Sequence, residues 1–271
     1  MDIRFSVIVP SIRPHALRRL LLSLSGKLDD CDELLVASDF PPDFRGIEPA
    51  DGIKHIPAVR SGPAAARNAC IGIARGTHFI FLDDDTVAAP ELIKAYRRAF
   101  FNRPEACVAA GPVSFMLGHG SWGRYFASQP FTWKPSVADR SASTCNLAVR
   151  NEGVLFDERF SFAFEDVAFC TRFSDREWIF VKDAEVFHEY PRNLPAFCLK
   201  YFRYGRGLAD FRRIYTSEGK KGIALPDTLR AYASSAAPAD FVRFTGLEIM
   251  KYWAYYLGYV SGKVIYRRPV K

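Results

Sequence analysis

The chain has 271 residues, of which 49% are hydrophobic and 25% are charged. This composition is ordinary for a soluble globular protein, excludes a disordered chain, and the length allows one large α/β domain or two small ones. Six cysteines include no Cys-x-x-Cys pair, so their spacing predicts neither a zinc site nor a redox motif. No long apolar stretch follows Met1, and we therefore expect free thiols in the cytoplasm.

The net charge of +7 is unevenly distributed along the chain. Residues 192–271 contain 15 Lys and Arg against 5 Asp and Glu, a net charge of +10, whereas residues 1–191 carry −3. A basic tail of this kind favours an anionic partner, which the composition leaves open between nucleic acid, a membrane surface and a phosphorylated substrate. Solvated helix faces would give the same composition.

Strand and helix signals alternate over the first 115 residues. This alternation predicts an α/β fold with a mostly parallel sheet and flanking helices, in which ligands bind at the carboxyl ends of strands. The predicted strands are Phe5–Pro10, Glu33–Ala37, Ile53–Ile56, His78–Leu82 and Ala106–Phe115, and the predicted helices are Pro14–Leu24, a helix from Gly62 that Gly76 ends, and Pro90–Phe101.

The pattern is less regular after residue 115. Residues 116–142 are rich in Gly, Ser, Pro and aromatics, which predicts a long loop or lid over a site. We predict strands at Asn146–Val149, Ile179–Val181 and Ala184–His188, a helix over Glu165–Phe173, and helical structure from Pro195 onward.

The C-terminal stretch predicts an amphipathic helix. At helical spacing, Asp240, Arg243, Glu248 and Lys251 fall on one face, opposite Phe244, Leu247 and Met250. Residues 252–262 carry no charge but are too few to span a bilayer, which takes roughly 20 residues. Such a helix can lie in a membrane interface or pack on the rest of the chain.

Three adjacent carboxylates, Asp83, Asp84 and Asp85, follow the apolar strand His78–Leu82. Adjacent carboxylates repel one another, and a hard divalent cation such as Mg²⁺ or Mn²⁺ would offset that repulsion. A polar loop or a helix cap after the strand is the structural alternative.

Four other side chains are candidates for chemistry. Glu165 and Asp166 lie in apolar surroundings, where a carboxylate can have a raised pKa and act as a base. His188 ends a short strand and is a plausible metal ligand. Arg67 lies near a helix start, where it can receive an anion. Purely structural roles stay open for all four.

The ordered set of these motifs resembles the family-two glycosyltransferases over about residues 5–190. The resemblance implies a GT-A fold, inversion at the anomeric carbon, a nucleotide diphosphate sugar donor, a hydroxyl acceptor, and Mg²⁺ or Mn²⁺. It predicts a catalytic domain over 1–190, with nucleotide-sugar binding in 1–115 and acceptor binding and catalysis in 116–190, and a basic helical region over 191–271. The segments that carry it are Ser6–Ser11, Gly62–Asn68, Phe81–Thr86, Asn146–Arg150, Phe156–Phe160, Glu165–Asp166 and Val186–His188.

The resemblance also implies roles for single residues. Asp85 and His188 would bind the metal with Asp83, while Asp83 and Asp84 would face the ribose and the water shell of the metal. Asp166 would be the catalytic base, with Glu165 beside it. The nucleotide would be bound by Pro10, Ser11, Asp39 and Arg67, although the segment around Asp39 lacks the usual Asp-rich turn ending in Ser.

The resemblance favours UDP or dTDP as the donor nucleotide, and nucleic acid is not expected as a partner. The acceptor stays open between a lipid-linked glycan, a polysaccharide end and a small molecule. Trp122, Trp133 and Asn146 are candidates for its pocket, because aromatic faces stack on sugars. The basic C-terminal region favours a cytoplasmic enzyme, peripheral on the inner face of an anionic membrane.

Three other functions compete with this interpretation. A haloacid-dehalogenase-type phosphatase would use Asp83 as a phosphate nucleophile, but its motif would open the chain. A nucleotidyltransferase would show a glycine-rich loop after the first strand, where Ser11–Pro14 has no glycine. A basic module that binds nucleic acid or membrane would leave the Asp83–Asp85 cluster unexplained.

Overall fold

The computed structural model describes residues 2–48, 52–58, 62–116, 120–127, 141–160, 163–215 and 238–265. The chain forms two compact units. The first unit consists of Met1–Ser114, Trp133–Ser161 and Glu165–Glu189, and the second consists of Phe115–Thr132, Phe162–Phe164 and Tyr190–Lys271.

The described strands form two sheets. Seven strands pair in the order β3-β2-β1-β4-β8-β6-β9, and three short strands pair in the order β5-β10-β7. Strands β3, β2, β1 and β4 run parallel, whereas β8 is antiparallel to both β4 and β6. The strands are β1 Phe5–Ser11, β2 Glu33–Ser38, β3 Ile53–Pro57, β4 His78–Leu82, β5 Thr86–Ala88, β6 Val108–Ala110, β7 Val113–Phe115, β8 Asn146–Arg150, β9 Trp178–Phe180 and β10 Val186–His188.

Helices cover both faces of the large sheet in the first unit, and long helices dominate the second unit. One apolar cluster joins α1 and α3 to one face of the sheet, and another joins α2 and α5 to the opposite face. The helices are α1 Pro14–Leu24, α2 Pro63–Ile71, α3 Leu92–Asn102, α4 Gly120–Ala127, α5 Glu165–Thr171, α6 Leu194–Ile214 and α7 Pro238–Ile265.

This architecture confirms the predicted α/β class and the mostly parallel sheet. Three local predictions differ from the structure. The strand expected over 106–115 is two strands in different sheets, β6 and β7, separated by Gly111 and Pro112. The three-residue strand β5 was not predicted. Part of the segment predicted as a loop, Gly120–Ala127, is helix α4.

Helices α6 and α7 of the second unit pack at very short range. A Cβ atom built on Gly205 would lie 1.9 Å from the Tyr255 carbonyl oxygen, and one on Gly258 would lie 2.0 Å from the Phe202 carbonyl oxygen. Only glycine permits this approach of two backbones. An aromatic cluster around Tyr125, Phe126, Phe197 and Phe244 joins α4 to both helices.

The expected polar face of the C-terminal helix is wrong in part. At about 100° per residue Phe244 shares a face with Glu248 and Lys251 rather than lying opposite them, and all three are buried, with exposed fractions of 2%, 0% and 4%. Lys251 pairs with Glu248, and the Tyr125 hydroxyl donates to the Glu248 carboxylate. Because these contacts satisfy both charges internally, the polar pair faces the packed side of α7. No helix among the described residues combines the length and the apolar character needed to cross a membrane.

Candidate active site

The carboxylates Asp83–Asp85 directly follow β4, at the carboxyl end of the parallel strands. Strand register determines their neighbours. Leu82 pairs with Asn146 in the antiparallel β4–β8 pair, so Asp83 comes opposite the residue before Asn146. Thr86 pairs with His188 in the β5–β10 pair, so Asp85 comes next to the end of β10. Segments remote in sequence therefore converge on one edge of the sheet.

Arg67 links the two predicted acidic motifs. Its guanidinium group donates to Asp83 Oδ1 at 2.7 Å and to Glu165 Oε1 at 3.0 Å. The side chain is 2% exposed and lies over the Phe156 ring at 5.2 Å. A surface position for Arg67 is therefore excluded, and the arginine fixes the start of α5 against the end of β4.

Asp166 stands beside this pair in the first turn of α5. Its Oδ1 accepts a hydrogen bond from the Val167 backbone N–H at 2.8 Å. Burial, with the negative charge of Glu165 as the next cause, raises the pKa of Asp166 to about 7. Phe164, which directly precedes α5, has a φ of 72°, a left-handed conformation that costs energy for an aromatic residue and is found at functional sites.

Asp84 is held by the turn that follows β1. Its Oδ2 accepts from Ser11 Oγ at 2.9 Å and from the Arg13 backbone N–H at 3.2 Å, and Arg13 also pairs with it through the guanidinium group. The same guanidinium group donates to Asp85 Oδ2 at 2.9 Å. Burial raises the pKa of Asp84, against the opposing effect of Arg13.

Three different donor types converge near the end of β4. Asp83, Cys145 and His188 each offer one ligand atom, and these atoms all lie within 4.8 Å of one another. Asp85 Oδ1 lies 3.4 Å from His188 Nε2. The His188 Nδ1 is hydrogen-bonded to the Glu189 carbonyl oxygen, which can only accept. Nδ1 therefore carries the proton in the neutral ring, and Nε2 has the lone pair that a metal requires.

The residues present fit a divalent cation. Five carboxylates gather here, and Arg13 and Arg67 pair with four of them. Carboxylate oxygen and imidazole nitrogen donors at short range are the donor chemistry that divalent ions require. The five carboxylates are Asp83, Asp84, Asp85, Glu165 and Asp166.

The other predicted site residues divide into three groups. Pro10 is the penultimate residue of β1 and is partly exposed, and Asp39 is exposed directly after β2, so both lie at the carboxyl edge of the sheet. Trp122 belongs to α4 in the second unit, stacked on Phe126. Trp133 lies outside the described residues.

Asn146 is buried and its amide is occupied by the framework. Its Oδ1 accepts from the Tyr96 hydroxyl at 2.7 Å, and its Nδ2 donates to the carbonyl oxygens of Pro112 and Ala184 at 2.9 and 2.7 Å. These bonds join β8 to the segments before β7 and β10. They give Asn146 a structural function, and its assignment to the acceptor pocket stays a prediction.

Sequence reasoning missed two residues of the site. Arg13 lies just after β1, between Ser11 and the helix-opening Pro14. Because β1 pairs in parallel with β4, a basic residue after β1 lies near the acidic cluster after β4, and this pairing is the signal that could have identified it. Cys145 precedes β8, and burial raises the pKa of its thiol, with the nearby carboxylates adding to the effect. The six cysteines form no disulfide.

Comparison with known proteins finds a matching family model and several similar solved structures. A family model described as glycosyl transferase family 2 matches residues 6–150. A mannosyltransferase, PcManGT from Pyrobaculum calidifontis, solved with GDP-Man and Mn²⁺, is similar with a TM-score of 0.61 at 16% identity, covering 98% of this chain and 87% of that chain.

Residues 1–349 of S. aureus TarS are similar with a TM-score of 0.53 at 17% identity, covering 97% of this chain and 91% of that chain. A UDP-GlcNAc complex of the same protein has a TM-score of 0.52 at 15% identity, again covering 97% and 91%. No curated protein sequence matches the chain.

Proposed function

From the premise that the chain belongs to glycosyl transferase family 2, we propose that it transfers a sugar from a nucleotide diphosphate donor to a hydroxyl acceptor. We further propose that transfer inverts the anomeric carbon and depends on a divalent cation. The family match confirms the expected family and a glycosyltransferase, and the similar structures confirm the GT-A fold. They count against the phosphatase, nucleotidyltransferase and non-enzymatic alternatives.

The observation that carries the proposal is the buried bridge from Arg67 to Asp83 and Glu165. It holds the acidic cluster after β4 and the acidic pair on α5 in one site. Transfer of a sugar from a diphosphate requires one group that stabilises the leaving diphosphate and another that accepts a proton from the acceptor. The bridge therefore holds the candidate cation ligands Asp83 and Asp85 beside the candidate base Asp166.

Asp166 is the proposed base. Its raised pKa suits a carboxylate that must accept a proton near neutral pH. The acceptor oxygen attacks the anomeric carbon, its proton passes to the Asp166 carboxylate, and the bond from that carbon to the diphosphate oxygen breaks. One displacement of this kind inverts the anomeric carbon and needs no covalent intermediate.

Asp85, Asp83 and His188 are the proposed ligands of the cation. A divalent cation, when bound, offsets negative charge on the diphosphate. Arg13 is partly exposed at the same edge of the sheet and already pairs with Asp85, so it is a second source of positive charge for the phosphates. Mn²⁺ is supported by the PcManGT complex and by the carboxylate donors.

The nucleoside is proposed to bind at the carboxyl ends of β1 and β2. Pro10, Ser11 and Asp39 lie there, and ligands of α/β sheets bind in this position. The similar proteins were solved with GDP-Man and with UDP-GlcNAc. We therefore extend the expected nucleotides, UDP and dTDP, to include GDP.

Asp166→Asn tests the proposed base. We expect this variant to lose donor turnover by about 100-fold or more, because a positioned base contributes about 10²–10⁴. A screen of UDP, dTDP and GDP, with and without Mn²⁺, by thermal shift measures binding separately, since a ligand raises the unfolding midpoint by mass action. Retained turnover would exclude Asp166 as the base, whereas lost binding would show that the substitution damages the donor site.

An anionic membrane surface is the proposed partner of the second unit. Five large apolar side chains of α7 are exposed and recur at helical spacing on one side of the helix. A contiguous apolar face marks an interaction surface when nothing covers it. We call it the apolar α7 face; it consists of Ile249, Trp253, Tyr256, Leu257 and Val260.

The charges of the second unit favour lipid over protein. The acidic side chains that the structure describes in the second unit, Asp210 and Glu248, are both buried. The exposed charges of the same described residues are all positive. Aromatic side chains with surrounding Arg and Lys suit the headgroup region of an anionic bilayer. The exposed basic residues are Arg124, Arg192, Arg203, Arg212, Arg213, Arg243 and Lys263.

A further inference from the structure

Cys145 is a buried thiol in the middle of the candidate active site. It is 3% exposed and lies directly before β8. Its sulfur, a carboxylate oxygen of Asp83 and a ring nitrogen of His188 lie within 4.8 Å of one another. The antiparallel β4–β8 register places it there: Leu82 pairs with Asn146, so Asp83, which follows Leu82, is adjacent to Cys145, which precedes Asn146.

The separations suit one ion. Divalent metals bind histidine nitrogen and carboxylate oxygen at about 2.0–2.2 Å and thiolate sulfur at about 2.3 Å, so donors around a tetrahedral ion lie roughly 3.5 Å apart. Three donors within 4.8 Å need only small side-chain movements to reach this geometry. A fourth donor is at hand, because Asp85 Oδ1 lies 3.4 Å from His188 Nε2.

We propose that Cys145 is a metal ligand together with Asp83, Asp85 and His188, which makes this a mixed oxygen, nitrogen and sulfur site. The inference rests on the proposed function, which places the cation at Asp83, Asp85 and His188. On binding, the Cys145 S–H bond breaks, a sulfur–metal bond forms and the proton leaves to solvent. A thiolate ligand shifts preference from Mg²⁺ towards Co²⁺, Zn²⁺ and Cd²⁺, because soft sulfur favours these ions.

Co²⁺ titration of the full-length protein tests the proposal without any sugar donor. A thiolate bound to Co²⁺ gives a charge-transfer absorption in the near ultraviolet, separate from the visible d–d bands that report Co²⁺ binding of any kind. We expect both signals in the wild type. Cys145→Ser should lose the charge-transfer absorption and bind Co²⁺ about tenfold or more weakly, while Mn²⁺ binding changes less.

Cys70→Ser is the matched control. Cys70 is fully buried on α2, and its sulfur contacts the Leu35 carbonyl oxygen, away from the acidic cluster. This variant should keep both Co²⁺ signals. If Cys145→Ser does not fold, alkylation of the wild type tests the proposal instead. Cd²⁺ should protect Cys145, and not Cys70, from alkylation during brief unfolding pulses, as mapped by mass spectrometry.

The outcomes separate the two claims. Visible bands without the charge-transfer absorption, or alkylation of Cys145 unchanged by Cd²⁺, would overturn the thiolate ligand and leave the proposed metal site intact. Absence of any Co²⁺ signal would overturn both the ligand and the metal part of the proposed function. Loss of the charge-transfer absorption in Cys145→Ser, but not in Cys70→Ser, supports the mixed site.

Discussion

Arg67 shows how a single side chain determines the geometry of this site. It is buried between two carboxylates, Asp83 and Glu165, which are 82 residues apart in the sequence. A buried guanidinium group without its partners, or the partners without it, would be strongly destabilising. The planar fork of arginine can bond both carboxylates at once, which a lysine ammonium on a flexible stem does less well.

We expect Arg67→Ala to lower the free energy of unfolding by about 3–5 kcal/mol, because it leaves Glu165 buried without its counter-charge. Arg67→Lys should recover part of this loss. Urea denaturation measures both. Arg98→Ala is the control, since Arg98 and its partner Glu91 are both about half exposed, and such pairs contribute about 0–1 kcal/mol. Equal effects of the Arg67 and Arg98 substitutions would contradict a structural bridge.

Asp166 should make stability depend on pH in the metal-free protein. Its pKa is raised to about 7 from the model-peptide value of 3.8, so the folded state holds a proton that the unfolded state has already released. Between these values the folded state binds more protons, and stability therefore falls as pH rises from about 4 to 7.

Asp166→Asn removes this dependence. The wild type should lose stability relative to Asp166→Asn between pH 5 and pH 8, as measured by urea midpoints in the presence of a chelator. Asp175→Asn, which changes an exposed carboxylate, should follow the wild type at both pH values. Parallel behaviour of the wild type and Asp166→Asn would show that burial does not raise the pKa of Asp166.

The carboxylates of the site were predictable from the sequence, whereas their partners were not. An apolar run that ends in three aspartates indicates a strand end with ligands, since both features are local. Cys145 is adjacent to Asp83 only because β8 pairs antiparallel with β4 in one particular register. A single sequence contains no signal for that register, so the thiol was interpreted only as a free cysteine.

At the scale of elements, length and composition decided which predictions succeeded. Strands β1 and β4 are fully or largely buried apolar runs of seven and five residues at the centre of the sheet, and both match the predicted strands closely. Strand β5 has three residues and owes its form to pairing with β10, which is a tertiary effect. Helix α4 contains two glycines and a serine, which are poor helix formers, and its aromatic side chains are stabilised by packing.

The close contact of α6 and α7 depends on glycine. Gly258→Ala would place a Cβ atom 2.0 Å from the Phe202 carbonyl oxygen, so the helices must separate. We expect a loss of about 1–3 kcal/mol, as for other overpacked positions. Gly246→Ala, on the same helix, meets nothing within 4 Å and should stabilise by about 0.5–1 kcal/mol through helix propensity. Thermal unfolding followed by circular dichroism should show a lower unfolding midpoint for Gly258→Ala and a higher one for Gly246→Ala. Equal shifts of the two midpoints would contradict the close packing.

At the scale of the whole molecule, the excess positive charge and the apolar α7 face both belong to the C-terminal part of the chain. The excess positive charge of residues 192–271 was evident from composition. Which side of α7 is exposed was not, because Glu248 and Lys251 resemble a solvent-facing pair and are instead satisfied inside the second unit. Phe244 and Glu248 are four residues apart, as are Leu247 and Lys251, so the charged pair shares the packed face of α7 with the apolar side chains instead of lying opposite them.

The positive charge and the apolar α7 face of the second unit together predict salt-sensitive binding to anionic vesicles. The full-length protein should cosediment with phosphatidylcholine vesicles that contain phosphatidylglycerol, and less with phosphatidylcholine alone. Added salt should weaken binding, because each Arg or Lys near the surface contributes about 1 kcal/mol that ionic strength screens. Replacing Trp253 and Leu257 with serine should reduce partitioning by about tenfold or more, since burying one large apolar side chain contributes about 1.5–3 kcal/mol.

Phe101→Ser is the matched control, because Phe101 is 68% exposed on α3 of the first unit and should not affect vesicle binding. The apolar α7 face could instead be covered by a second copy of the chain, and analytical ultracentrifugation separates the two occupants. A dimer that the Trp253 and Leu257 substitutions dissociate, without vesicle binding by the wild type, would exclude the membrane. Binding that depends neither on lipid charge nor on these substitutions would show that neither the positive surface nor the apolar α7 face contacts the bilayer.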